Sequence, residues 1–501
     1  MAQPLLDRVI GAVAPGWALD RERARLRLAM VHKTRGEYDG ATQGRRASSW
    51  RRSLRDANGE LTPQVMNALR GVARDLVRNN PFAARGVSAI ANNVVGTGIT
   101  FQVYRNGVID PALNDIARRH FDTMDCDAAG RHDLYGLQLQ AARTIVESGA
   151  ALVRRRWRRR QDGYPLPFQM QVLEPDYIDQ GKHGPLPVTA GKSGGFLING
   201  IQFDPLGERE GYWLYSGHPG SAWSTTIESK LIPARDLAHV FRADRPEQEH
   251  GATWLAPIVL RMKDFAEYED AQLLRQKLAA CFAVFKLGDA SNDPPIPDPN
   301  APDDAGLEMV EPGMIYDVPE GRDIKFADPP GVEGYGEYSK VSLRAVSAGL
   351  NVPYEVLSGD LSSVSFISGR LGLLEFQRSL ATWQWNMFIP QFCGAVEQWF
   401  LESLPLIGED PTGVTMRWTP PRREMMDPSS EVPATRNAIR SGLMTLSEAV
   451  RERGIDPDTH FDEWKSDADT LDRLGLVFDA DPRKVTSAGN PSFLADAPPR
   501  T

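Results

Sequence analysis

The sequence predicts an α+β fold, and three observations lead there. β-rich or alternating segments crowd residues 98–245. Helical periodicity precedes that region, in a segment opening at Thr62-Pro63. After residue 256 long apolar-periodic helices take over, interrupted by a stretch rich in Pro and Asp.

Residues 1–60 read as an N-terminal arm: TRGEYDGATQGRRASSWRRSLRD is basic, small-residue-rich and poor in core candidates. Thr62 is a good N-cap and Pro63 a good first-turn residue. Val65, Leu69, Val72 and Leu76 then recur every three or four residues and predict one apolar helix face. Asn80-Pro81 restarts a second helix, which Gly96 ends. Strands are expected within 98–105, 149–157, 168–175, 195–204 and 210–216, with a helix over 134–148 among them. Asp162-Gly163 marks a hairpin turn.

Ala256-Pro257 opens a helix to about Cys281, with Ile258, Met262, Phe265, Tyr268, Leu274 and Leu278 on its apolar face. At ~1.5 Å per residue it spans roughly 40 Å. FAVFKL and MIYDVP read as short strands flanking an acidic Pro-rich loop, and no Lys or Arg occurs from Leu287 to Gly321. A further helix covers about Tyr335 to Gly349. A last long one runs from about Phe366 to Glu402, with a kink expected at Pro390. Its residues Leu373, Phe376, Leu380, Trp383 and Met387 step by threes and fours, as a packing seam does. Short helices are expected over 430–475, then a disordered tail.

Composition limits the function. The 501 residues suffice for roughly two to four domains. No run of about 20 apolar residues occurs, so no transmembrane helix and no membrane partner are expected. The N-terminus reads as no secretory signal. Cys126, Cys281 and Cys393 lie far apart and lack metal-ligand spacing, which fits a reducing folding environment with neither zinc nor disulfides. The net charge of −9 argues against tight, charge-driven binding of nucleic acid.

Several motifs can be tested for chemistry. GKSGG over 191–195 matches a nucleophile-elbow pattern around Ser193, but a strand rather than a helix follows it, so a glycine-rich hairpin is the better reading. A phosphate loop ending at Lys192-Ser193 fails, because its first glycine position holds Leu186. Glu174 and Asp176 can pair, although Pro175 between them suggests a strand-end turn. The basic cluster RRRWRRR, with Arg154, Arg155, Arg156, Arg158, Arg159 and Arg160 around a Trp, suits phosphate binding and base stacking. It equally suits a strand whose arginines meet acidic neighbours, or an intersubunit contact. Residues 435–456 have helix-turn-helix length, yet carry Glu448 and Glu452 beside Arg451 and Arg453. No enzyme motif rises above background, and neither a cofactor nor a metal is expected.

The ordered set of motifs resembles the lambda-type phage portal proteins. RNNPFA followed by NNVVGTGI, LEPDYID, the strand His239-Val240-Phe241 with the nearby Arg-Pro-Glu-Gln, the approach from Gly251 to Pro257, and GLNVPYEVLSGDLSSVSFISGR carry the likeness, over about residues 45–475. The resemblance implies a ring of about twelve subunits at one vertex of a viral capsid. Double-stranded DNA would pass through it, without sequence preference, during packaging and ejection. It implies docking of the terminase large subunit and head–tail connector proteins, and contact with major capsid and scaffolding proteins. Assembly would occur in the host cytoplasm. Mapped by segment, 61–255 would be an α/β wing, 256–281 and 334–350 the stem helices, and 282–333 the clip. Residues 351–370 would hold the tunnel loop, 371–430 a kinked helix returning to the wing, 431–480 a helical crown and 481–501 a tail. The DNA-facing groups would be Ser358, Gly359, Ser362, Ser363, Ser365, Ser368, Gly369 and Arg370 of the loop, with Lys340 and Arg344 on the stem. A serine hydrolase using Ser193, or a nucleic-acid-binding regulator using residues 154–160, are the alternatives.

Overall fold

The computed structural model describes residues 53–187, 194–222, 228–280, 284–287, 323–326, 334–362, 364–421, 425 and 427–476. The chain forms two units, Met1–Asp56 and Ala57–Thr501, and the elements below belong to the second.

A short α1 (Ala57–Glu60) precedes α2 (Pro63–Asn79) and α3 (Pro81–Val95). Thr62 caps α2 through its hydroxyl, which accepts from the Val65 amide. Asn80 serves both helices. Its amide closes α2 on Leu76, and its side-chain oxygen accepts from the Phe82 and Ala83 amides at the start of α3. That is the physical content of the RNNPFA motif. The buried face of α2 differs from the one the periodicity predicts. Val65 and Val72 are 40% and 44% exposed, while Met66, Arg70 and Ala73 are buried. The face turns because Arg70 finds a carboxylate inside, 3.2 Å away on Asp176.

β1 (Thr100–Arg105) and β2 (Val108–Ile109) lead into α4 (Pro111–Phe121), then α5 (Leu134–Ser148), β3 (Ala150–Trp157) and β4 (Phe168–Leu173). Gln138 on α5 holds both backbone groups of Ile99, accepting from its amide at 2.8 Å and donating to its carbonyl at 3.0 Å. β5 (Gly184–Pro185), β6 (Phe196–Ile198), β7 (Ile201–Phe203), β8 (Arg209–Tyr215) and β9 (Ser229–Pro233) form an antiparallel five-stranded sheet in sequence order. β10 (Leu237–Phe241) returns to pair with β3 in a sheet ordered β10-β3-β4. Asp162-Gly163 does sit in the β3–β4 connection, with Gly163 left-handed. A Cβ on Gly251 would lie 2.0 Å from the Gly149 carbonyl oxygen. Two backbone segments therefore meet where only glycine fits.

α6 (Val259–Ala280) starts three residues later than Ala256. Ile258, Met262 and Phe265 are buried as predicted, but Leu274 is exposed. Leu278 has no described side chain. β11 (Val284–Leu287) lies within the expected FAVFKL strand, and its antiparallel partner is β12 (Asp323–Phe326). The MIYDVP strand and the acidic Pro-rich loop fall outside the described residues, as does the tail. α7 (Tyr335–Leu350) packs back on α6 through Tyr268 against Tyr335 and Tyr338. α8 (Tyr354–Ser358) follows, then α9 (Phe366–Trp383).

The kink expected at Pro390 falls within a π-helical segment, Gln384–Cys393, continuous with α9 and with α10 (Gly394–Ile407). Wider π turns accommodate a residue that lacks an amide hydrogen and would otherwise strike the preceding turn. Phe376, Leu380, Trp383, Met387, Phe388, Phe392, Trp399 and Phe400 along this rod are buried, so the seam is core. Four polar side chains of the rod reach backbone groups elsewhere. Gln384 donates to the Val94 carbonyl (2.8 Å), and Gln391 accepts from the Phe241 amide (2.8 Å). Glu397 accepts from the Met416 amide (2.9 Å), and Trp399 donates to the Arg235 carbonyl (2.7 Å). Met416 belongs to β13 (Val414–Thr419), a strand absent from the sequence reading that pairs antiparallel with β1. α11 (Pro428–Arg440), α12 (Leu446–Glu452) and α13 (Pro457–Leu474) close the described chain.

One apolar core runs through α3, α5, β1, β3 and the rod. A smaller second cluster lies under the five-stranded sheet, where Leu152, Leu173 and Leu237 meet Ile201, Phe203, Tyr212 and Leu214. Gly251→Ala should therefore cost about 2 kcal/mol or more, because backbone must move. Gly71→Ala, whose Cβ meets nothing within 4 Å on a helix surface, should raise stability by about 0.5–1 kcal/mol. Urea unfolding of the two variants beside the parent checks both signs.

Candidate nucleic-acid interface

The loop between α7 and α9 is built from local polar contacts. Asn351 ends α7 in the left-handed conformation, and its side chain donates to Ser379 Oγ at 2.7 Å. Pro353 starts α8, and Arg85 of α3 donates from Nε to the Val356 carbonyl at 2.6 Å. Ser358 returns its hydroxyl to the Tyr354 carbonyl at 2.7 Å. Gly359 then reverses the chain at φ 75°. Asp360 accepts from the Ser362 hydroxyl (2.6 Å), the Ser362 amide (3.0 Å) and the Tyr354 hydroxyl (3.3 Å). The Ser362 hydroxyl and amide hold its carboxyl below the usual aspartate value. Ser365 and Ser368 form a reciprocal capping box at the start of α9.

The sequence reading left these serines free to touch a passing ligand. In the structure Ser358, Ser362, Ser365 and Ser368 are each bonded within the loop, because short hydroxyls compete well for nearby backbone. Ser363 lies outside the described residues. Gly369 sits in the first turn of α9.

Cations surround the loop. Arg344 lies 5.5 Å over the Tyr354 ring, and Lys340 acts electrostatically on Asp360. Arg370 stands 3.8 Å from Glu431 on α11, too long for a hydrogen bond. Arg85 is the fourth, and the sequence reading missed it. It is exposed, and its guanidinium lies within van der Waals reach of a Cβ placed on Gly359. No local pattern marks Arg85, since it lies more than 250 positions from the loop it holds.

The arginine cluster is divided by the strand that carries it. Arg155 is buried, with a 1% exposed side chain. Its guanidinium pairs with Asp236 at 2.6 Å and with Glu402 of α10, and lies 4.3 Å from the Trp157 ring centre. Arg156 donates to Gln171 and Arg158 to Gln169 across the β3–β4 ladder. Arg154 is half-buried; Arg159 and Arg160 are exposed in the turn beyond. The acidic-neighbour reading fits Arg155, and the six arginines are split between core, ladder and solvent. Ser193 lies outside the described residues, so the hydrolase alternative gains no geometry. In the 435–456 region Glu448 is the capping partner of Thr445, ahead of a seven-residue helix.

Glu174, Asp176 and His218 bring possible metal-ligating atoms within 4.8 Å of one another. The donor set does not suit a cation. Arg74 reaches Glu174 at 3.0 Å as well as Asp176, and Arg70 also holds Asp176. Two guanidinium groups already neutralise the carboxylates.

Fold and sites together define a structural subunit, in which charged side chains tie elements of the chain to each other. The comparisons agree. The family described as "Phage portal protein, lambda family" matches residues 43–384. A "Probable portal protein" of Halomonas phage phiHAP-1 is 25% identical over 461 residues, covering 87% of each chain. Among solved structures, the neck of a native gene transfer agent (GTA) particle, computed with C12 symmetry, aligns at 13% identity and TM-score 0.47. That alignment covers 79% of this chain and 95% of the other. An HK97 family phage portal protein from Corynebacterium diphtheriae aligns at 11% identity and TM-score 0.32, covering 72% and 97%. The chain belongs to the lambda family of phage portal proteins. It is a structural protein of the phage portal vertex and not an enzyme.

Removing the Arg155 guanidinium (Arg155→Met) strands Asp236 and the partner Glu402. It should cost about 3 kcal/mol, whereas Arg159→Ala and Arg160→Ala should stay within about 0.5 kcal/mol of the parent. Thermal unfolding distinguishes these. Equal effects at all three positions would mean that Arg155 is not the internal tie.

Proposed function

We propose that copies of this chain close into a ring of about twelve, through which double-stranded DNA moves without being read, during packaging and ejection. The observation that carries the ring is the first half of α9. Ile367, Leu371 and Leu374 lie on one stripe, and the first two are 71% and 64% exposed. Phe376 and Leu380 on the same helix are buried against the core. A helix apolar on both sides needs cover on both sides. Tyr338 and Val341 on α7 are likewise exposed, and a neighbouring copy supplies that cover in a closed ring.

In this reading residues 61–255 form the wing, 256–281 and 334–350 the stem, 282–333 the clip and 431–480 the crown. The tunnel loop and stem face the channel. The internal bonding of Ser358, Ser362, Ser365 and Ser368 shifts the work of meeting DNA to the loop backbone and to Lys340, Arg344 and Arg370. A few cations in an acidic chain give weak contacts that release as the phosphates move past. The terminase large subunit and the head–tail connector proteins dock at the clip. Capsid and scaffolding proteins meet the outer rim, and assembly takes place in the host cytoplasm.

Light scattering and negative-stain class averages should give a closed ring for the parent and a folded monomer for Leu371→Asp. A Leu371→Asp ring as stable as the parent's would remove α9 from the interface. Replacing Lys340, Arg344 and Arg370 together by Ala should leave ring mass unchanged. DNA packaged into capsids should fall by about tenfold; unchanged packaging would remove these residues from the channel.

A further inference from the structure

A group of buried polar atoms away from the loop lies where the five-stranded sheet meets the β10-β3-β4 sheet. His239, in the middle of β10, is buried, and neither ring nitrogen has a hydrogen-bond partner. Its ring meets Tyr212 of β8 edge-on at 5.6 Å, Phe241 at 4.7 Å and His250 at 5.6 Å. His250 is also buried, and its Nε2 has no partner.

Every charged group facing the pair is already matched. Arg70 reaches in from α2 and Arg209 from β8. Arg70 holds Asp176 at 3.2 Å and Arg209 holds Glu249 at 2.6 Å. Arg74 takes Asp176 and Glu174, and Glu174 also meets His218 at 2.9 Å. Among the described residues, a protonated imidazole would find two guanidinium groups nearby and no free carboxylate; only the Ile198 and Asn199 backbone favours the charged form, at His250.

We propose that His239 and His250 form an acid-opened latch. Uncharged, they let the five-stranded sheet close on the β10-β3-β4 sheet; protonated, they release that sheet while the main core stays folded. Release is local because the second apolar cluster is small and meets the pair through Tyr212. The main core has its own buried histidine, His120, set between Phe121 and Phe168. Burial pushes His120 down to about 3.

The direction with pH follows from linkage. Burial first, then the neighbouring positive groups, hold both latch histidines below the ordinary 6.5, His250 at about 4. A lowered histidine contributes its stability in full above 6.5. That stability is lost as pH falls toward the folded-state value, so the window runs from 6.5 to about 4. Asp176 stays charged through it: burial raises its carboxyl, but the Arg74 hydrogen bond and both arginines outweigh that and leave it below the usual value.

Hydrogen exchange by mass spectrometry on the full chain, from pH 7.5 to 4.5 and corrected for intrinsic rates, tests this. Segments 196–215 and 229–233 should open more as pH falls, by up to about tenfold per pH unit for each proton taken up. Segments 81–95 and 134–148 should not change. The His239→Phe/His250→Phe variant should flatten the dependence. Loss of protection in both regions together, or an unaltered slope in the variant, would overturn the latch. The regional comparison in the unmodified chain decides the question even if the double variant does not fold.

Discussion

Gln384, Gln391, Glu397 and Trp399 lie along one rod, and each satisfies a backbone group of a different element. The rest of the body depends on this arrangement. The C-terminal end of α3, the β10 edge, the turn before it and the β13 edge all present amides or carbonyls that burial would otherwise leave unpaired. The π turns around Pro390 keep the rod unbroken, so its polar hooks and its Phe-Trp face stay in register. Glu397 on the Met416 amide also blocks part of an open strand edge, a site where another chain could pair.

A second level of organisation is ionic. Arg70 and Arg74 of α2 reach Glu174 and Asp176 after β4, and Arg155 of β3 reaches Asp236 and α10. These arginines are buried or half-buried and ion-paired, and Arg74 and Arg155 are hydrogen-bonded as well. They therefore fix how helices sit on sheets more than they add net stability. Arg70, Arg74 and Arg155 thus work inside the body, whereas the cations proposed to meet DNA stand beside the α7–α9 loop.

The loop reads differently in sequence and in structure. Its serines and glycines suggest slack, yet the Asx turn at Asp360, the Ser365–Ser368 box and the Arg85 tie give it a defined path. The sequence reading contained neither the Asp360 turn nor the Arg85 contact, and the second joins positions far apart in the chain.

Elements carried by local chemistry were legible in the sequence: Thr62, Asn80 and Gly96 bound the first two long helices. The alternating segments became strands, and the stepped Phe-Trp seam became core. The ordered motifs named the family, since each encodes a local cap, turn or close approach. Tertiary structure decided what periodicity cannot: which face of α2 turns inward, that β13 pairs with β1, that Leu274 stays exposed, and how RRRWRRR is shared between core, ladder and solvent. For α2, β13 and the arginines, a partner distant in sequence set the outcome. Arg70 goes inside because Asp176 is there, and Arg155 because Asp236 and Glu402 are. A buried charge follows its counter-charge, and only the folded chain determines where that lies.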